Sequence, residues 1–582
     1  MACAKIKKIF AIFFKSTLGM FTFGALIGFI FFVLFCGLAI VNPTYTDWIF
    51  YSVTHDTAQH FIGWQFFRAD STGGIINGLA YPVGLPVTFM DSIPLLAFPF
   101  KIISGFLPGD FQYFGIWAIA CYMMMGGLAA VLMKKIWQKI FGNSGMLLWQ
   151  ILFVAAGALI FVLSPVLLAR TLYHSALAAQ WLILLGFILI WDADHFSKKW
   201  KFIIAWSLTL AVTVLIHPYF LPMIGSMMLI AAARNINRLS LRSVLYLIIK
   251  ILIPILTAII LFWAIGGFSL GSGAEVHDLD EKGFNLLSFT NANGYSSLVP
   301  GYSNASSSPE TMMWLGLGVW LMIALIVIGN ITKLNRIIKN YLQRFKEHFG
   351  RNSLITFAFV GLLIFSIGVR VDFGSVTLFQ YSVPDKVYEI WSAFRAAARE
   401  AWPFYYLTIL VAIYGLARLV NNAKLSVKKR VMIASTGLLV IGLIQFTDLW
   451  FSQKAMSKRE SFSQIQNVST RQFQAIDISD LVTTQKNLVM LDTDFRGDMT
   501  GTYKIGQTAL RKGLTLNIGF FARIPNEIWT IQDQWRDKVR SGQLHQDDLA
   551  SNILATNDKG LAMTAASYYT VELRDGFYFI LK

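Results

Sequence analysis

Charge is scarce in this chain: 14% of its 582 residues are Asp, Glu, Lys or Arg, while 55% are hydrophobic. A soluble globular protein carries about 25% charged residues, so the deficit excludes an ordinary water-exposed fold over most of the length. Cysteine is scarcer still. Cys3, Cys36 and Cys121 lie in or beside apolar stretches, where a thiol is more often a small buried hydrophobe than half of a disulfide. No Walker motif and no dinucleotide-binding glycine motif occurs, and no cluster has the spacing of an EF-hand or of a His-Glu-x-x-His zinc site. The usual signatures of nucleotide-driven or motif-defined metal chemistry are therefore missing.

What the chain has instead is apolar runs. Crossing ~30 Å of hydrocarbon takes ~20 helical residues, and roughly eleven stretches qualify, near 16–41, 111–133, 146–167, 172–191, 202–216, 218–233, 245–265, 312–330, 353–369, 403–420 and 431–449, several of them short or interrupted by proline. The first, behind Lys5, Lys7, Lys8 and Lys15, is longer than the apolar region of a signal peptide and is followed by no clear small-residue cleavage site, so it is expected to remain as the first helix. The expected fold class is an all-α polytopic transmembrane helix bundle of about 11 spans, covering 1–450, with a small extracytoplasmic α/β domain over 451–582. In that tail, 488–491 and 515–518 read as strands. Residues 569–574 and 577–581 read as a hairpin closed by Asp575-Gly576, a favoured two-residue turn.

The formal charge of +17 is mostly a topology signal, and no nucleic-acid partner is needed to explain it. Lys134/Lys135/Lys139, Lys198/Lys199/Lys201, Arg234/Arg238/Arg242, the run 333–351 and Lys424/Lys428/Lys429/Arg430 fall on one side if 93–107 does not cross the membrane. The amino terminus is then cytoplasmic. The outer face receives loops 42–110, 266–311 and 370–402, short turns near 169–175 and 217–220, and the tail. The expected location is a bacterial cytoplasmic membrane.

Helix centres almost lack charge, which counts against an ion-coupled carrier. Candidate chemistry gathers in the outer loops. Asp56, His60, Gly63 and Phe67 share one face at helical spacing, and a carboxylate at Asp56 flanked by aromatics is expected to have a raised pKa suited to a general base. The plainer alternative makes Asp56 a helix N-cap. Asp91 in Asp91-Ser92-Ile93-Pro94 likewise reads as a helix start. Arg170 with His174 could bind phosphate or simply end a helix at the headgroups. Arg395 and Arg399, at i and i+4, could grip a phosphate together, unless Glu400 pairs with one of them.

The segments 56–68, Tyr81-Pro82-Val83-Gly84, Asp91-Ser92-Ile93-Pro94-Leu95-Leu96-Ala97-Phe98, Arg170-Thr171-Leu172-Tyr173-His174, His217-Pro218-Tyr219, Glu310 ahead of Leu315-Gly316-Leu317-Gly318, and 394–406 resemble an uncharacterised bacterial multi-pass family. That family is itself similar to the GT-C superfamily of lipid-phosphosugar glycosyltransferases. The resemblance runs over most of 20–450. It implies Asp56 as the base acting on the acceptor, Asp91 as a second carboxylate that supports the loop or binds a metal, and His60, Arg170, His174, Glu310, Arg395 and Arg399 as substrate-binding residues.

The implied function is transfer of a sugar from a polyprenyl-phosphate donor to an envelope glycan, lipid or protein acceptor at the outer face, with membrane lipid as a further partner. No cofactor is certain; a divalent cation is compatible with the carboxylates. A lipid-linked glycan flippase or exporter, or a non-catalytic assembly scaffold, would use the same architecture. Asp192-Ala193-Asp194 and Asp492-Thr493-Asp494 match the Asp-x-Asp of nucleotide-sugar enzymes but read better as solvated or turn residues. Asp278, Asp280 and Glu281 form an acidic loop cluster without metal-site spacing.

Overall fold

The computed structural model of the chain describes residues 10–50, 56–70, 73–142, 145–193, 199–234, 241–269, 282–302, 309–333, 349–394, 396–465, 475–492, 499–519 and 525–581, with isolated positions between 334 and 348. Each of the eleven apolar stretches contains a helix. Five helices are long and apolar enough to cross a membrane: Thr17–Cys36, Phe114–Phe141, Val244–Ala264, Ala397–Asn421 and Val427–Trp450. Six shorter apolar helices accompany them, Leu147–Val162, Ala176–Trp191, Trp200–Ile216, Phe220–Arg234, Leu317–Asn330 and Ile355–Ile367. The stretch 93–107 forms only the nine-residue helix Pro94–Ile102 and a short 3-10 turn, far below the ~20 residues of a span.

Local sequence explains the main elements. Ser16 caps the helix Thr17–Cys36, its hydroxyl accepting from the Gly19 amide at 2.8 Å. This helix lies tightly on Phe114–Phe141 because small residues face each other: a Cβ at Gly28 would sit 2.0 Å from the Tyr122 carbonyl oxygen, and one at Gly126 only 2.2 Å from that of Gly24. Pro403 stands in the first turn of Trp402–Asn421, where its missing N–H costs nothing.

The tail carries a five-stranded mixed sheet in the spatial order Thr515–Leu516, Asn487–Met490, Asn552–Thr556, Phe577–Leu581, Thr570–Arg574. The first three strands are parallel, and the last two form the expected antiparallel hairpin. Asp575 and Gly576 both have positive φ, 49° and 90°, as that turn requires. The strand Asn552–Thr556 is not apparent from composition, since polar residues flank its apolar centre.

The sheet touches the segment 78–81 directly. Leu516 donates its amide to the Gly78 carbonyl at 2.8 Å and accepts from Tyr81 at 3.2 Å. Gly506, on the helix Met499–Lys512, lets that helix approach Ile62 of the loop helix Thr57–Ala69.

Candidate functional site

Asp56 occupies the N-cap position of Thr57–Ala69, yet its side chain makes no capping hydrogen bond. The carboxylate reaches His174 instead, with Oδ2 2.7 Å from Nε2. One turn on, His60 points the same way and is fully buried. Gly63 continues this face: a Cβ there would come within 2.5 Å of the Met90 Cβ. Phe67 stacks edge-on against Phe98. The shared face expected from spacing therefore seats the helix on the segment carrying Asp91.

Asp91 is not a helix cap either. It adopts the left-handed backbone region (φ 50°), and the N-cap of Pro94–Ile102 is Ile93, also left-handed. Such conformations in non-glycine residues persist only where surrounding contacts enforce them. Here Ser92 donates to the His60 carbonyl at 3.0 Å, and Tyr113 donates its hydroxyl to the Ser92 carbonyl. The result turns the Asp91 carboxylate inward. Its Oδ1 lies 2.8 Å from His217 Nε2, while Oδ2 lies 3.6 Å from His60 Nε2 and 3.7 Å from His174 Nδ1.

His217 breaks the chain between the helices Lys199–Ile216 and Phe220–Arg234. Its Nδ1 accepts the Tyr219 amide at 3.1 Å, which fixes the proton on Nε2, where it is donated to Asp91. Burial holds the His217 pKa below the ordinary value against the opposing pull of Asp91. Burial alone would raise the Asp91 carboxyl, but His217 and His60 outweigh it and hold it well below the usual range. Asp56 is also lowered: burial pushes it up, but His174 and, to a lesser degree, His60 together outweigh it. This corrects the raised pKa expected for Asp56 from its aromatic flanks, because the sequence does not display the facing imidazole.

Beside this cluster lies an arginine–glutamate–arginine triad. Ser164 and Pro165 start the short helix that ends in Arg170, Glu310 sits in a 3-10 turn, and Arg399 sits in another. Arg170 donates from Nη1 to Oε1 of Glu310 at 2.9 Å and from Nη2 to Oε2 at 2.5 Å. Arg399 donates from Nε to Oε2 at 2.6 Å and from Nη2 to Oε1 at 2.7 Å. Burial would raise the Glu310 carboxyl, but Arg170 and Arg399 hold it well below its ordinary value. The guanidinium of Arg399 lies 5.3 Å from the Tyr219 ring centroid, two residues beyond His217, so triad and carboxylate cluster form one continuous site.

Asp56, His60, Asp91, His174, Arg170, Glu310 and Arg399 thus come together from distant segments. Arg395 lies outside the described residues, as does the acidic cluster of Asp278, Asp280 and Glu281. Of the two arginines for which Glu400 is an alternative partner, Arg399 takes Glu310 instead, the carboxylate whose two oxygens both face it, and the other, Arg395, is outside the described residues. The first carboxylates of both Asp-x-Asp matches lead elsewhere, while Asp194 and Asp494 lie outside the described residues. Asp192 pairs with Lys135 at 2.6 Å. Asp492 closes a turn by accepting from Thr556 Oγ1 at 2.6 Å and from the Asn557 amide at 2.9 Å. The residue that sequence reasoning did not place at the site is His217. Its signal was a histidine before proline at a break between two apolar stretches.

Lys458 also reaches this region, from the helix Gln453–Ile465. Its ammonium donates to the Leu168 and Ala169 carbonyls at 2.9 and 3.3 Å and lies 4.0 Å from the Tyr173 ring centroid. Burial pushes its pKa down to about 7. An unfolded lysine keeps its proton to about pH 10.4, so between these values the unfolded chain binds more protons and stability rises with pH. Against Lys458→Met, the wild type is expected to gain up to ~1.4 kcal/mol per pH unit from about pH 7 to about pH 10. Denaturation midpoints of the two proteins across that range check this; a pH-independent difference would contradict it.

These features define a class first: a predominantly helical protein with membrane-length apolar helices, a small C-terminal α/β unit and a buried carboxylate–histidine cluster beside an ion triad. The chain belongs to the DUF6311 family, described as a domain of unknown function, whose model matches residues 25–450. All the site residues above except Lys458 fall in that span. Among solved structures the chain is similar to the oligosaccharyltransferase of Archaeoglobus fulgidus in complex with zinc and sulfate, with 13% identity and a TM-score of 0.34 over 94% of this chain and 71% of that one. A likeness this remote carries no functional weight. No curated protein matches the chain.

Proposed function

We propose that this chain is a membrane glycosyltransferase of GT-C type. It moves a sugar from a polyprenyl-phosphate donor to an envelope glycan, lipid or protein acceptor at the outer face of a bacterial cytoplasmic membrane. The observation that carries the reading is the convergence of Asp56 and Asp91 with His60, His174 and His217 next to the Arg170–Glu310–Arg399 triad. Inverting displacement at a sugar carbon needs a base on one side and a stabilised leaving group on the other.

Asp56 takes the basic role because it is ionised and reachable: its side chain is 24% exposed, against 6% for Asp91. The acceptor hydroxyl gives its proton to Asp56, the acceptor oxygen bonds to the anomeric carbon, and the bond from that carbon to the phosphate oxygen breaks. Polyprenyl phosphate leaves with the electron pair. The triad carries two positive charges and one negative, and Arg170 Nε has no hydrogen-bond partner, so the triad offers one net positive charge and an unused donor to the departing phosphate. Arg399, and with it Arg395, would serve the donor from the same loop.

Cells with and without the protein are compared for lipid-linked and finished envelope glycans. Loss of one sugar modification, with its donor lipid accumulating on the outer face, is the expected result. Accumulation of an unmodified, inward-facing intermediate would instead make the protein a flippase and overturn the reading.

A further inference from the structure

Three buried nitrogens in this site, on two side chains, have no hydrogen-bond partner. His60 is 0% exposed, yet neither Nδ1 nor Nε2 has a hydrogen-bond partner, and Nδ1 of His174 is equally buried and unpaired. Both histidines turn a free nitrogen toward the same oxygen, Oδ2 of Asp91, at 3.6 and 3.7 Å. Those separations are too long for hydrogen bonds. They match the distance between neighbouring ligands on one ion: donors 2.0–2.2 Å from a tetrahedral centre stand about 3.4 Å apart. The donor atoms of His60, Asp91 and His174 all lie within 4.8 Å of one another.

We propose that His60, Asp91 and His174 form a binding site for a divalent first-row transition-metal ion, with Asp56 and His217 fixing two of the ligands. Two imidazoles and one carboxylate favour zinc, manganese, iron or cobalt over magnesium and calcium, which prefer oxygen ligands throughout. Three protein ligands leave coordination positions open, as in catalytic rather than structural sites.

The surrounding groups are those a metal site needs. A ligating histidine gives its other nitrogen to a carboxylate, which sets tautomer and orientation: His174 presents Nε2 to Asp56 at 2.7 Å, freeing Nδ1 for the ion. The ligating carboxylate is itself held, since His217 donates to the Asp91 oxygen that does not face the two free nitrogens. His217 cannot be a fourth ligand in this arrangement, because its Nδ1 is occupied by the Tyr219 amide and its Nε2 carries the proton. The site stands independently of the glycosyl-transfer reading, as the ion would bind whatever reaction follows.

The test uses the full-length chain purified in detergent, stripped with a chelator, and titrated with zinc or cobalt. About one equivalent should be retained after desalting, and the cobalt form should show the intense visible absorption of a four- or five-coordinate site, displaced by zinc. His60→Gln and His174→Gln should retain less than about a tenth of an equivalent, while His217→Gln should bind with affinity reduced ~10–100-fold, as for a ligand's supporting partner. Wild-type protein that binds no zinc and gives only the weak spectrum of hydrated cobalt would overturn the proposal even if the variants fail to fold. So would His60→Gln and His174→Gln that fold and bind like the wild type.

Discussion

Replacing Glu310 with alanine is expected to prevent the chain from accumulating in folded form. The side chain is 11% exposed and takes two hydrogen bonds from each of Arg170 and Arg399 among the described residues. Without it, two guanidinium groups remain buried, side by side and unneutralised. Removing one partner of a buried ion pair costs ~3–5 kcal/mol, a large share of the ~5–15 kcal/mol by which a domain is stable. The same reasoning gives an asymmetric companion. Replacing the triad by apolar residues of similar volume, Arg170→Met, Glu310→Leu and Arg399→Met together, removes both the charges and their desolvation cost. That variant should recover most of the lost stability while losing transfer. The check is heat-induced loss of the monodisperse peak in size-exclusion chromatography. A Glu310→Ala protein as heat-resistant as the wild type would show that the triad does not hold this site together.

Asp56→Asn is expected to reduce transfer by at least ~10²-fold, the lower end for a positioned acid–base group, with folding nearly unchanged. The stability cost is small because the carboxylate is partly exposed and makes no capping bond to its helix. An amide can still accept from His174, so the geometry persists while the capacity to take a proton is gone. Single-turnover transfer measured beside the thermal midpoint separates the two effects. Near-normal transfer by Asp56→Asn would remove Asp56 from the basic role.

The elements were legible where short-range physics decides them. Each apolar stretch contains a helix because lipid-length hydrophobic runs leave the backbone few other ways to satisfy its polar groups. The Asp575-Gly576 turn dictated its hairpin because both residues tolerate positive φ. The face shared by Asp56 and His60 followed from helical spacing. What lay beyond reach was pairing between distant segments. Arg170 meets Glu310 across 140 positions and Arg399 meets it across 89, so the arginines read as phosphate ligands and Glu310 as a substrate residue, while their pairing stayed hidden. Asp91 looked like a cap because Pro94 follows it. Its inward turn emerged only with the left-handed backbone at Asp91 and Ile93 and with His217 brought in from the break between two helices.

The most direct measurement places the purified full-length protein in liposomes with a synthetic polyprenyl-phosphate sugar and an envelope acceptor fraction, and follows the lipid. Release of polyprenyl phosphate, in step with sugar appearing on the acceptor and lost in Asp56→Asn, is the predicted result. Donor that binds and crosses the bilayer intact, with no polyprenyl phosphate released, would contradict it.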